Sequence, residues 1–143
     1  MSLAINLAKE RYPEAEPFTF GDSRALCDEL LALVRSERKT ATCGALRDYG
    51  EGGDALPVVG RQDIALDWDG NAALVIETVE VTQRRYCDVD ADFALAEGEN
   101  DDLAGWQAAH RAYFERNGGW FAEMELICER FRLVKDFGED GDV

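Results

Sequence analysis

The sequence has few residues that would suit a metal site or a disulfide framework. Its only histidine is His110, and no pair of its four cysteines, Cys27, Cys43, Cys87 and Cys128, has the CxxC spacing typical of zinc sites. Disulfide-dependent domains are small, secreted and dense in cysteine, unlike this chain. We therefore predict four free thiols, no bound metal and no other cofactor.

Basic residues are also scarce, because 15 Lys and Arg stand against 30 Asp and Glu, giving a net charge of −15. Such a surface repels phosphate backbones, which disfavours tight non-specific binding to long nucleic acids and makes DNA an unexpected partner. A pocket for one nucleotide or for an uncharged base remains compatible with this charge. The alternative is that the acidity serves only solubility.

Long hydrophobic runs are missing as well. The uncharged apolar stretches are far shorter than the ~20 residues of a membrane span. The first 16 residues mix charges with short apolar pieces, so no secretory signal is predicted. We expect no membrane partner and a cytoplasmic location.

The patterns that are present predict one α+β domain over residues 1–143. Apolar residues at helical spacing predict helices over 3–11, 23–36, 89–96 and 103–116. Extended segments are predicted at 18–20, 40–43, 56–60, 63–68 and 72–82, with a hairpin turn at 69–71 and one or two closing strands over 124–137. The acidic tail, 138–143, is predicted to be disordered.

A first polar segment, residues 36–42, lies between a predicted helix and a predicted strand. Within it, Lys39 and Thr42 are three residues apart. A lysine can serve as base for a hydroxyl if burial or a neighbouring cation such as Arg38 lowers its pKa, and it can also hold a carbonyl or phosphate oxygen. The alternative is that Arg38 and Lys39 only solvate a helix C-terminus and favour its dipole.

A second polar segment, residues 97–102, precedes the helix that carries Trp106 and His110. Close carboxylates such as Glu97 and Glu99 raise each other's pKa, so one can act as general acid or base. Alternatively, these acidic residues only favour the helix N-terminus. Trp106 and His110 share one helix face, which suits either core packing or a base-stacking platform.

Together these segments resemble the ASCH-domain family over roughly residues 18–133. The family signature GxKxxT, found in many relatives within LVxxGxKTATC, corresponds to ERKTAT at 37–42. The acidic EGEG or EGEN loop followed by a WxxxH helix corresponds to EGEN at 97–100 with Trp106 and His110, and a closing ER-F pattern stands at 129–131.

The resemblance implies a PUA-like mixed or antiparallel β-barrel of five to six strands with flanking helices and a cleft fed by both polar segments. Small bacterial proteins similar to this one act as amidohydrolases on N4-acetylcytidine, and the resemblance therefore implies a metal-independent amidohydrolase here. By motif, Thr42 Oγ would be the nucleophile, Lys39 its activator and Glu99 the proton donor to the leaving amine. Neighbouring residues are expected to bind the substrate, a small nucleoside or short RNA: Arg38, Thr40, Glu97, Asn100, Trp106 and His110.

Two other functions remain open from the resemblance. Members of the PUA-like superfamily are proposed to bind RNA. The candidates for a basic stripe here are the basic pairs 38–39 and 84–85, together with Arg130 and Arg132. A relative has ribonuclease activity, in which Lys39 would stabilise the phosphorane.

The sequence departs from the family pattern at two positions. The motif glycine is Glu37 here, which costs roughly 1 kcal/mol if that position has a positive φ. The Glu37 carboxylate would also raise the pKa of Lys39 and make it a poorer base. Asp102 stands where relatives often carry Ser or Thr, which counts against a mechanism that needs this hydroxyl.

Overall fold

Five strands form one sheet in the computed structural model, which describes residues 2–50 and 52–140. The strands are β1 (Glu16–Thr19), β2 (Ala41–Ala45), β3 (Gln62–Leu66), β4 (Ala72–Arg85) and β5 (Glu125–Asp136), in the sheet order β1-β3-β4-β5-β2. The pairing of β1 with β3 is parallel and the other three are antiparallel. The sheet curls into a half-barrel, so the predicted α+β fold is confirmed.

Helices pack on this sheet and close its core. They are α1 (Ile5–Arg11), α2 (Arg24–Arg35), α3 (Ala91–Ala96), α4 (Leu103–Arg116) and α5 (Phe137–Asp140). None of the described helices is long and apolar enough to cross a membrane. The single turn α5 includes the first residues of the predicted disordered tail, while 141–143 lie outside the described residues.

Two irregularities bend the long central pair of strands. The register between β4 and β5 shifts between Val75 and Ile76 and again between Thr78 and Glu80. Bulges of this kind increase the local twist of a sheet, which lets these strands curl around a core. Residues 72–76 are buried on both faces, because helices cover the sheet on both sides.

The prediction of a strand at 56–60 is wrong. These residues form a loop with exposed Leu56, Val58 and Val59. Pro57 lacks the N–H that a strand ladder needs, and the side chain of Arg61 instead holds the Ala55 and Leu56 carbonyls at 3.4 and 3.2 Å. The closing segment is the single strand β5, which the prediction had left as one strand or two.

The chain reverses direction at Glu37 immediately after α2. Glu37 has φ 62°, the only positive φ outside glycine in the described residues. The N–H groups of Arg38 and Lys39 both donate to the Leu33 carbonyl, at 3.0 and 3.1 Å. This left-handed turn sends Lys39 into the interior while Glu37 and Arg38 remain exposed.

Glu37→Gly should raise the free energy of unfolding by about 1 kcal/mol, since glycine adopts a positive φ without the steric cost of a Cβ. Urea unfolding followed by tryptophan fluorescence would measure the change. Arg38→Gly is the matched control, because Arg38 has an ordinary φ and glycine there should destabilise. An unchanged or lowered stability of Glu37→Gly would contradict the argument.

Candidate functional site

The two polar segments meet in space through Lys39. Its ammonium lies 3.2 Å from Glu97 Oε1, 3.4 Å from the Glu97 carbonyl and 2.7 Å from Glu99 Oε2. Lys39 and Glu97 are each only 1% exposed. The interpretation of Lys39 as a residue that merely solvates a helix end is therefore wrong, although it fits the exposed Arg38.

Direct backbone packing holds the two segments together. The Thr40 N–H donates to the Ala96 carbonyl at 2.8 Å. Gly98 has φ +76°, and a Cβ on it would lie 2.4 Å from the Arg38 carbonyl oxygen. Only glycine allows the acidic loop to approach so closely, so Gly98 places the carboxylates against Lys39.

Glu97 is the centre of a buried polar cluster. Its Oε2 accepts the Trp106 indole N–H at 2.8 Å, and its Oε1 lies 3.4 Å from His110 Nε2. The rings of Trp106 and His110 stack with their centroids 4.2 Å apart. Trp106 is fully buried, so it packs in the core and orients Glu97, and its face is not open to a nucleobase.

The cluster keeps its lysine protonated. Burial by itself lowers the pKa of Lys39, but Glu97 and Glu99 outweigh it and the pKa lies above the ordinary value. Burial likewise opposes ionisation of Glu97, yet Lys39, His110 and Trp106 hold the pKa of that carboxyl well below its usual range. Lys39 is therefore an ammonium paired with carboxylates, and the carboxylates responsible are Glu97 and Glu99.

His110 should make folding stability depend on pH. Burial lowers the pKa of its imidazole, but the Glu97 carboxylate outweighs this and the net shift is upward. The stabilisation is then complete below the unfolded pKa of about 6.5 and is lost as pH rises through the folded pKa. The gap in stability between wild type and His110→Gln should therefore shrink as pH rises above neutrality.

NMR titration of the imidazole provides the direct check, because His110 is the only histidine of the chain. A midpoint below 6.5 would contradict the expected shift. Glu97→Gln is the informative comparison, since it should bring the midpoint down.

A cavity of about 890 Å³ opens above this cluster. Lys39, Thr42, Glu97, Glu99 and His110 all contribute to its wall. Thr42 lies on β2 directly opposite Glu129 of β5 and is half-buried. Among the hydrogen bonds of the described residues, none joins the Lys39 ammonium to the Thr42 hydroxyl. The three residues assigned to catalysis thus share one cavity, and among these three the only hydrogen bond within the described residues joins Lys39 to Glu99.

A model of the ASCH domain matches residues 16–135 of the chain. The chain belongs to the ASCH-domain family. An ASCH domain from Lactobacillus crispatus JV V101 is 30% identical in sequence, covers 89% of this chain over 84% of its own, and superposes with a TM-score of 0.78. A protein from Enterococcus faecalis V583 is 28% identical over 97% of this chain and 90% of its own, with a TM-score of 0.82. No match was found among curated protein sequences.

Four residues expected to bind substrate in this ASCH domain do not line the cavity within the described ranges: Arg38, Thr40, Asn100 and Trp106. Arg38 and Thr40 face solvent. Asn100 is half-buried, and its Oδ1 has no hydrogen-bond partner among the described residues. Asp102 is the N-cap of α4, and its Oδ1 accepts the Gly105 N–H at 2.7 Å. Its carboxylate therefore has a structural role at the position where relatives carry a hydroxyl.

Among the polar residues of the cavity wall that sequence reasoning did not single out as site residues are Tyr49, Arg61, Asp63 and Glu129. Asp63 and Glu129 are buried, at 4% and 8% exposure. A signal was present at Glu129, because the residues two positions away on the same strand, Ile127 and Phe131, are apolar. Asp63 had no such signal, because Arg61 and Gln62 precede it. A buried charge at such a position is costly and marks a candidate functional residue.

Three donor atoms in the ASCH domain are close enough to be considered as metal ligands. Those of Cys43, Glu97 and His110 lie within 4.8 Å of one another. Both oxygens of Glu97 already accept hydrogen bonds, from Lys39 and Trp106, and burial raises the pKa of the Cys43 thiol. A cation would have to approach the Lys39 ammonium, so this cluster fits a hydrogen-bonded network better than a metal site.

Proposed function

We propose that this ASCH domain is a hydrolase that cleaves an amide on a modified cytidine-type nucleoside such as N4-acetylcytidine. The observation that carries the proposal is the Lys39–Glu99 ion pair, 2.7 Å long and set in the wall of a cavity that Thr42 also lines. A nucleophilic hydroxyl, a carboxylate and a fixed cation are the groups that acyl transfer needs.

In this proposal each of the three residues that line the cavity has a separate role. Thr42 Oγ attacks the amide carbonyl, its proton passes to the Glu99 carboxylate, and the positive charge of Lys39, whose N–H groups donate to Glu97 and Glu99, stabilises the oxyanion that forms. Glu99 then returns the proton to the departing N4 amine, which leaves an acyl ester on Thr42. Water activated by Glu99 hydrolyses the ester to acetate and restores the hydroxyl.

The charge of the cavity supports a neutral substrate. Carboxylates from Glu97, Glu99, Asp63 and Glu129 outnumber the nearby cations in the wall. A phosphate group would be repelled by these carboxylates, whereas the amide, amine and hydroxyl groups of a nucleoside can donate hydrogen bonds to them.

The RNA-binding and ribonuclease alternatives have less support because most candidate cations are already paired. Arg84 lies 3.4 Å from Asp90, and Arg85 lies 2.8 Å from Asp88. Arg130 and Arg132 contact carboxylates at 2.8 and 3.3 Å, respectively. A phosphate backbone would have to compete with these carboxylates for each of the four arginines.

Release of acetate and cytidine from N4-acetylcytidine, with EDTA present, tests the proposal. Thr42→Ala and Glu99→Gln should each lower turnover by about 100-fold or more, because each removes a group that takes part in the bond changes. Thr40→Ala is the matched control, since that hydroxyl lies outside the cavity and its loss should leave turnover intact. If the folded wild-type protein releases no acetate or cytidine from N4-acetylcytidine, the proposal is wrong for this substrate.

A further inference from the structure

A second polar wall faces the cavity from the β3–β4 side of the sheet. Glu129 Oε1 accepts the Thr78 hydroxyl at 2.8 Å, and Asp63 Oδ2 accepts Arg61 N–H groups at 3.1 and 3.2 Å. Glu129, Arg61 and Asp63 line the cavity. Thr78, only 1% exposed, supports Glu129 from β4. The proposed reaction uses none of these four residues.

The Glu129 carboxylate is hydrogen-bonded to Thr78 of β4, although its direct cross-strand neighbour on β2 is Thr42. Thr42 is on β2, whereas Thr78, the hydrogen-bond partner of Glu129, is on β4 at the opposite side of β5. Glu129 thus belongs with the groups on β3 and β4. It is suited to contact a part of the substrate other than the bond that Thr42 would attack.

The wall offers hydrogen-bond acceptors with few donors to satisfy them. Glu129 Oε2 has no partner among the described residues, although Glu129 is 8% exposed. Arg61 is the nearby cation, but it is already bound to Asp63 and to the Ala55 and Leu56 carbonyls. The Thr78 hydroxyl donates its single proton to Glu129 Oε1 and has none left for another acceptor. Glu129 Oε2 is not among the buried unpaired side-chain atoms of the described residues, so this oxygen is open to the cavity and can accept a hydrogen bond from a ligand there.

We propose that Glu129, with Thr78 and the Arg61–Asp63 pair, forms a subsite that binds the vicinal hydroxyls of an unphosphorylated ribonucleoside and disfavours its phosphate esters. The identity of the nucleoside rests on the proposed function, but the existence of the subsite can be tested by binding alone. A carboxylate oxygen accepts O–H donors strongly and repels a phosphate dianion. Glu129 and Asp63 would therefore both favour the hydroxyls and disfavour the phosphate.

Isothermal titration with cytidine, 2′-deoxycytidine and cytidine 5′-monophosphate tests the subsite without any turnover. Wild type should bind cytidine about tenfold or more tightly than 2′-deoxycytidine, and the monophosphate most weakly. Glu129→Gln should lose most of the preference for cytidine and bind the monophosphate better than wild type does. Glu125→Gln, an exposed position on the same strand and outside the cavity lining, should behave as wild type.

Thr78→Val provides a second variant that keeps the Glu129 side chain but removes the hydroxyl that orients it, and it should weaken cytidine binding selectively. The subsite is refuted if Glu129→Gln keeps the wild-type order of affinities, or if wild type does not bind cytidine. Cytidine binding with the expected order but no amide cleavage would leave the subsite standing and refute the proposed hydrolase. Amide cleavage by wild type, together with an unchanged order of affinities in Glu129→Gln, would support the proposed hydrolase and refute the subsite.

Discussion

Lys39→Met is expected to lower the free energy of unfolding by about 3–5 kcal/mol, because it leaves buried carboxylates without their cation. Lys39 and Glu97 are each 1% exposed and lie 3.2 Å apart, and Glu99 is a second partner at 2.7 Å. Methionine fills a similar volume, so the loss should report the charge and not a cavity. Urea unfolding at neutral pH would measure it.

Two comparisons isolate the electrostatic origin of that loss. Arg38→Met changes the neighbouring exposed cation and should alter stability by no more than about 0.5 kcal/mol. Lys39→Met combined with Glu97→Gln removes both buried charges and should recover much of the stability lost in the single variant. If Lys39→Met lies within about 1 kcal/mol of wild type, the buried ion pair does not have the role described.

Gly98→Ala is expected to destabilise the protein by about 3 kcal/mol or more, since left-handed backbone strain adds to a collision with the backbone. An added Cβ would lie 2.4 Å from the Arg38 carbonyl oxygen and 2.8 Å from the Lys39 nitrogen. Because these are backbone atoms, relief requires the two polar segments to separate. Turnover should therefore fall together with stability.

Gly70→Ala is the matched control for this effect. Gly70 has a similar φ of +88°, but a Cβ there would meet nothing within 4 Å. The control should cost only the conformational strain, about 1 kcal/mol. Equal losses in the two variants would mean that the close approach at Gly98 contributes nothing, and unfolding curves of the pair would decide this.

Local patterns predicted the regular elements well where one physical cause dominated. Apolar spacing placed α4 at Leu103–Arg116, and the side chain of the capping residue Ser23 accepts the Leu26 N–H at the start of α2. The strand predicted at 56–60 failed because its valines are β-formers that have no neighbouring strand to pair with. A propensity does not reveal whether a partner strand is present.

The amino-acid sequence by itself determined the family, the fold class and the two polar segments, because each depends on residue order along the chain. Only the tertiary structure decided that Lys39 stays protonated, since Glu97 and Glu99 are 58 and 60 residues away in sequence. It also decided that Trp106 is core and that Glu129 faces a cavity with Asp63. Burial and the distance to other charges set the pKa of a group and the energy of its ion pairs. Neither quantity can be read from local spacing along the sequence.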